Sequence, residues 1–167
     1  VAARRRAREQ ALLGERHMVE GLDLRDELSR LCRLPFVRRH FPVPRWSPVK
    51  MTVAWSSTKR WTTGHSKRHG WHVHLGLYEG CPRHEAQALL AHELAHAILP
   101  GKAHGERWRR AFARIVADGY GIEWIPARAM EGSVHDLQAT VEHALRIRNS
   151  SQAVTLREHA AAKRRGS

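Results

Sequence analysis

Apolar residues recur at two different spacings, and the change from one to the other divides the chain. Leu24, Leu28, Leu31 and Cys32 are three or four residues apart, which predicts a packing helix with Arg25, Asp26, Glu27 and Arg30 on its solvated face. From Val49 the period falls to two. Val49, Met51, Val53 and Trp55 alternate with Lys50, Thr52 and Ala54, and Trp71, Val73, Leu75 and Leu77 alternate with His72, His74 and Gly76. Both stretches read as half-buried strands. Trp61-Thr62-Thr63 predicts a short strand between them, with Gly64 and Gly70 bracketing a polar turn. Helical spacing then returns. Leu90, Leu94 and Ala97 or Ile98 stripe a helix over residues 85–99, and Trp108, Phe112, Ile115 and Val116 stripe one over 105–118. Leu137, Val141 and Leu145 stripe the last.

Punctuation residues agree with this division. Residues 41–48 hold three prolines and read as a connector. Pro82 suits the first turn of the helix it precedes, Pro100-Gly101 stops that helix, and Gly119 and Gly121 end the next. Ser133-x-x-Asp136 is a capping-box pattern. Residues 1–20 read as a basic helix or a disordered arm, 21–148 as one domain with its motif-bearing core at 49–121, and 149–167 as a basic tail that frays past Asn149. Short strands followed by helices make the expected class α+β.

A chain of 167 residues is the size of a single domain. No apolar run approaches the roughly 20 residues of a membrane span. Arg4-Arg5-Arg6 is not followed by an apolar segment, so a cytoplasmic location is the expectation and no membrane partner is expected. Cys32 and Cys81 are isolated, which argues against a disulfide framework. The net charge of +13 is uneven. Residues 1–48 carry 11 basic and 6 acidic groups, 49–84 carry 6 and 1, 85–125 carry 5 and 5, and 126–167 carry 7 and 4. The excess surrounds the helices at 85–125 and suits a polyanionic partner.

Those neutral helices hold the candidate chemistry. In His92-Glu93-Leu94-Ala95-His96 the histidines are four apart, so on a helix both imidazoles leave one face a turn apart. That spacing suits two ligands of a tetrahedral zinc, with Glu93 placed to take a proton from an attacking water and return it to a leaving amine. A chain with 13 histidines can produce the spacing by chance, so the context matters. Two histidines and a carboxylate on a buried helix each need a partner, and one shared Zn²⁺ would serve all three. His104, just past the Pro100-Gly101 reversal, is the nearest third ligand; Glu106, Asp118 and Glu123 are its rivals.

His92-Glu93-x-x-His96 followed by His104-Gly105-x-x-Trp108 resembles the SprT-like zinc metallopeptidase family, the Spartan-related peptidases. The likeness covers residues 49–121 and is specific mainly in the two motifs. It implies His104 as the third ligand, Trp108 packed against the motif helix, and one catalytic zinc. The implied fold is zincin-like: a small three-stranded sheet on a two-helix metal site, with extra N- and C-terminal helices. The edge strand, expected at 71–77, would line the cleft and receive an extended peptide as a further strand. Many members add a four-cysteine zinc ribbon, which Cys32 and Cys81 cannot build.

The activity so implied is hydrolysis of peptide bonds in protein substrates, including DNA-associated or DNA-crosslinked proteins. One alternative keeps the peptidase and gives it a repressor or phage substrate without DNA. Another is a non-enzymatic nucleic-acid-binding protein with a structural zinc. Lys59, Arg60, Trp61, Lys67 and Arg68 interleave cations with an aromatic ring and are the candidate contacts for DNA, single-stranded by preference. His65, His69, His72, His74, Tyr78 and Tyr120 are open candidates for stabilising an oxyanion.

Overall fold

Glu20 and Gly21 adopt left-handed backbone (φ 46° and 79°) and turn the chain through a small hairpin, β1 (Met18–Val19) against β2 (Leu22–Asp23). No helix accommodates two such residues, so the expected basic helix does not run to residue 20. The computed structural model describes residues 2–4, 16–41, 50–57, 72–99 and 104–166, and 63–67 for their backbone. The Asp23 side chain caps α1 (Leu24–Cys32), accepting from the Arg25 N–H at 2.9 Å. A single-turn helix, α2 (Pro35–Arg38), follows.

Strands β3 (Lys50–Ser56), β4 (Thr63–Lys67) and β5 (His72–Tyr78) form a mixed sheet in the order β3-β5-β4. The β3–β5 pair is parallel, with Val53 opposite Leu75. The β4–β5 pair is antiparallel, with His65 opposite His74. Alternation buries Val53, Val73, Leu75 and Leu77 on one face. On the other, the Thr52 hydroxyl lies 2.9 Å from His72 Nε2 and 2.7 Å from His74 Nδ1.

Two strand expectations change. Gly64, His65 and Ser66 are strand, because they pair with β5; they are not a turn. The strand at 72–78 is central, as its three fully buried apolar side chains require, so the edge strand beside the motif helix is β4.

The motif helix, α3 (Arg83–Ile98), has eleven of its sixteen residues buried and packs against β4, β5, α1 and the two long helices that follow. It is the core helix of the domain, not an amphipathic surface one. Helix α4 (Glu106–Tyr120) ends at Gly121, whose φ of 69° makes the left-handed cap. Gly119 does not end the helix. It lies in the last turn, where a Cβ would sit 2.6 Å from Leu31 Cδ2, so glycine sets the close approach of α1 to α4.

After the short α5 (Ile125–Arg128), α6 runs unbroken from Val134 to Arg165. Ser133 and Asp136 form the expected capping box: Asp136 N–H donates to Ser133 Oγ at 3.1 Å, and Ser133 N–H to Asp136 Oδ2 at 2.7 Å. The helix does not stop at Asn149. Residues 150–160 continue as exposed helix, helped by Ala160-Ala161-Ala162 and by Lys163, Arg164 and Arg165 in the last turn.

The fold is α+β. Among the described residues no helix is long and apolar enough to cross a membrane. Cys32 and Cys81 are both buried and form no disulfide.

Candidate metal centre

Because α3 is the core helix, its polar side chains are held against the elements that pack on it. His92 and His96 sit a turn apart with ring centroids 5.1 Å from each other. His104, just ahead of α4, brings its Nε2 to 3.0 Å from His96 Nε2 and 3.3 Å from His92 Nε2. One ligand atom from each of the three lies within 4.8 Å of the others. A tetrahedral Zn²⁺ with Zn–N of about 2.0–2.1 Å holds its nitrogens about 3.3–3.4 Å apart. Two of the three separations are close to that spacing, and the group could hold a metal ion. Residues 100–103, with the Pro100-Gly101 reversal, lie outside the described residues; His104 is nonetheless at the group.

Trp108 is the floor of this cluster. It is buried, 4.5 Å from both the His92 and the His104 ring, and stacked on His96 at 5.0 Å and 26°. Phe112 stacks beneath it at 5.1 Å. The helical stripe that predicted α4 thus also packs against the rings of the three histidines.

His92 has a second partner that the sequence reading missed. Its Nδ1 lies 3.0 Å from Oε1 of Gln138 on α6. Since a carboxamide oxygen only accepts, Nδ1 must carry the proton, which leaves the Nε2 lone pair facing the other two histidines. Gln138 Nε2 in turn donates to Glu142 Oε1 at 3.3 Å. Burial drives the His92 pKa down to about 4, against a smaller opposing effect of the Gln138 contact. His104 is lowered too, by burial and then by His135. Neutral imidazoles at neutral pH are what metal ligation requires. The only trace of Gln138 in the sequence is a polar i, i+4 pair, Gln138 and Glu142, beside the apolar stripe of α6.

Glu93 is only 3% exposed, and its Oε1 lies 3.8 Å from His92 Nε2. The rival ligands are placed otherwise. Glu106 pairs with Arg110 at 2.8 Å and Asp118 with Arg114 at 2.7 Å, both i, i+4 pairs along α4. Glu123 is exposed and outside the group.

Of the oxyanion candidates, Tyr78 donates to Glu85 Oε2 at 2.6 Å, and burial and that carboxylate raise its pKa. Tyr120 is buried, with the guanidinium carbons of Arg30 and Arg148 5.0 and 5.2 Å from its ring. His72 and His74 share the Thr52 hydroxyl. Neither tyrosine nor His72 nor His74 joins the histidine cluster. His69 lies outside the described residues, and His65 is described only by its strand position. Lys59, Arg60, Trp61 and Arg68 also lie outside them, and Lys67 is described only as the register partner of His72.

Comparison of the chain with protein-family models, with curated proteins and with solved structures finds no match.

Proposed function

We propose that this chain is a cytoplasmic, zinc-dependent endopeptidase of SprT-like type that hydrolyses peptide bonds in protein substrates, DNA-associated or DNA-crosslinked proteins among them. The observation that carries the reading is the convergence of His92, His96 and His104 with a buried carboxylate, Glu93, next in chain to a ligand. A structural zinc site needs no carboxylate beside its ligands, whereas an attacking water needs a base there.

A bound Zn²⁺ would supply Lewis acidity to the scissile carbonyl and lower the pKa of the attacking water. The protein's part is to hold and move the proton. Glu93 accepts it from the water and delivers it to the departing amine. Trp108 keeps the imidazoles in place, and Gln138 fixes the tautomer of His92. We read the sheet and the α3–α4 pair as zincin-like, with β4 as the edge to which an extended substrate adds, because β4 is the edge strand packed against α3.

Metal analysis and a protease assay on wild type and Glu93→Gln, with and without single-stranded DNA, test this. The reading expects about one zinc per chain in both proteins and cleavage by wild type alone. Zinc with no cleavage of any substrate would favour the structural-zinc, nucleic-acid-binding alternative. Cleavage indifferent to DNA would favour a substrate outside DNA.

A further inference from the structure

His92 owes its tautomer to Gln138, but a carboxamide can turn either its oxygen or its NH₂ toward an imidazole. With the oxygen forward, Nδ1 of His92 carries the proton and the Nε2 lone pair can bind metal. With the NH₂ forward, Nδ1 must accept, the proton moves to Nε2, and that lone pair is lost as a ligand. Nothing in Gln138 itself chooses between the two. The choice comes from what meets the other end of the amide.

That end meets Glu142. Gln138 and Glu142 are one turn apart on α6, both half-buried, and Gln138 Nε2 donates to Glu142 Oε1 at 3.3 Å. An i, i+4 pair of this kind is usually a solvated helix contact of small value. This one is turned toward α3, where Gln138 meets His92 and the charge of Glu85 reaches Glu142. Glu85 and His92 lie two turns apart on the same side of α3. Tyr78, at the end of β5, gives its one hydroxyl proton to Glu85 Oε2 at 2.6 Å. Along this interface the polar groups therefore follow in the order Tyr78, Glu85, Glu142, Gln138, His92.

An ionised carboxylate accepts hydrogen bonds and cannot donate them. Facing one, the amide points its NH₂ at the carboxylate and so its oxygen at the imidazole. We propose that Glu142 is a positioning residue for metal binding: its carboxylate orients the Gln138 amide, and through it holds the His92 lone pair toward His96 and His104. Burial is the largest cause lifting the Glu142 pKa above its ordinary 4.5; the Gln138 contact opposes it, Glu85 adds to it and His84 works against it. The contact with Gln138 thus favours the ionised form on which the orientation depends. The proposal rests on the reading of His92, His96 and His104 as metal ligands and is independent of peptidase activity.

Long-range proton–nitrogen NMR of the metal-free full chain, at about pH 8 and so well above the ordinary carboxyl range, reads the His92 tautomer directly, with the signal assigned from His92→Gln. Wild type should show the Nδ1–H form. Glu142→Gln, which keeps the shape but can turn either end to Gln138, and Glu142→Leu, which offers neither, should show a mixture. Both variants should bind zinc about threefold more weakly in a chelator competition, the loss expected when about a third of the molecules hold the competent tautomer. In a Gln138→Ala background Glu142→Gln should make no further difference, because its route to the metal is gone. A role through charge alone or through the stability of α6 would persist in that background. An Nδ1–H His92 in wild type and both variants, an Nε2–H His92 in wild type, zinc affinity unchanged in both variants, or a loss that persists without Gln138 would overturn the proposal. Wild type that binds no zinc would instead overturn the metal reading on which it rests.

Discussion

Nδ1 of His92 and Oε1 of Gln138 lie 3.0 Å apart although 46 residues separate them along the chain. The contact selects the His92 tautomer whose Nε2 can bind metal, and such outer contacts commonly account for ten- to a hundredfold in metal affinity. Gln138→Ala should therefore weaken zinc binding by roughly tenfold or more in a chelator competition, with little change in the thermal midpoint of the metal-free protein. Gln138→Glu, which keeps an acceptor in place, should retain most of the affinity. Equal affinity for wild type and Gln138→Ala would remove Gln138 from the site.

Trp108 contributes its ring but not its N–H. The indole Nε1 is buried and has no hydrogen-bond partner among the described residues, and such a group costs stability. Trp108→Phe should stay within about 1 kcal/mol of wild type in urea denaturation, because the lost area is offset by the removal of that group. Trp108→Ala, which empties the floor beneath three imidazoles, should cost about 3–5 kcal/mol. A Phe variant as unstable as the Ala variant would show that the N–H has a partner.

Gly119 carries a prediction of opposite sign to helix propensity. Alanine is normally better than glycine inside a helix by about 1 kcal/mol. Here the added methyl would meet Leu31 Cδ2 at 2.6 Å and Leu34 Cδ1 at 3.4 Å, and Leu31 is fully buried. Overpacking of this kind costs about 1–3 kcal/mol. Gly119→Ala should be destabilising by chemical denaturation, and a gain in stability would mean that α1 can slide away from α4.

Acid sensitivity should reside partly in Glu27. Burial pushes its carboxyl pKa up, but Arg30, donating at 2.8 Å, acts with Tyr120 and Gln87 to outweigh it and hold the folded value below the ordinary 4.5. A folded pKa below the unfolded one gives stability that is present above about pH 4.5 and is lost as the pH falls through the folded value. Melting curves between pH 6 and 3 should show a steeper acid loss for wild type than for Glu27→Gln, with the variant less stable at neutral pH. Parallel curves would clear Glu27 of the effect.

The elements with a strong period were legible to within a few residues. The four-residue spacing placed α1, α3 and α4, and the two-residue spacing placed β3 and β5, because in each case burial on one face decides which residues are apolar. β4 was misplaced since Gly64-His65-Ser66 has turn composition, and only its pairing with β5 makes it strand. Glu20 and Gly21 form a hairpin whose partner strands have two residues each, too short for any period. The His92–His96 pair was legible because a helix fixes their relation by spacing alone, whereas the approach of His104 depends on how α4 packs on α3. Gln138 was not, as its role depends on how α6 crosses α3, which no local pattern encodes.

The motif helix begins without a side-chain cap of its own. Its first N–H, on Arg83, donates instead to Glu20 Oε2 at 3.0 Å, while the Arg83 guanidinium reaches the Glu20 carbonyl at 3.1 Å. The helix is thus terminated by a residue well upstream, and its first histidine is oriented by one well downstream. A fragment excised at 49–121 would contain His92, His96 and His104 yet leave an uncapped helix and a His92 without its Gln138 contact. The smallest piece of this chain that keeps the three histidines as the fold arranges them extends at least from Glu20 to Gln138.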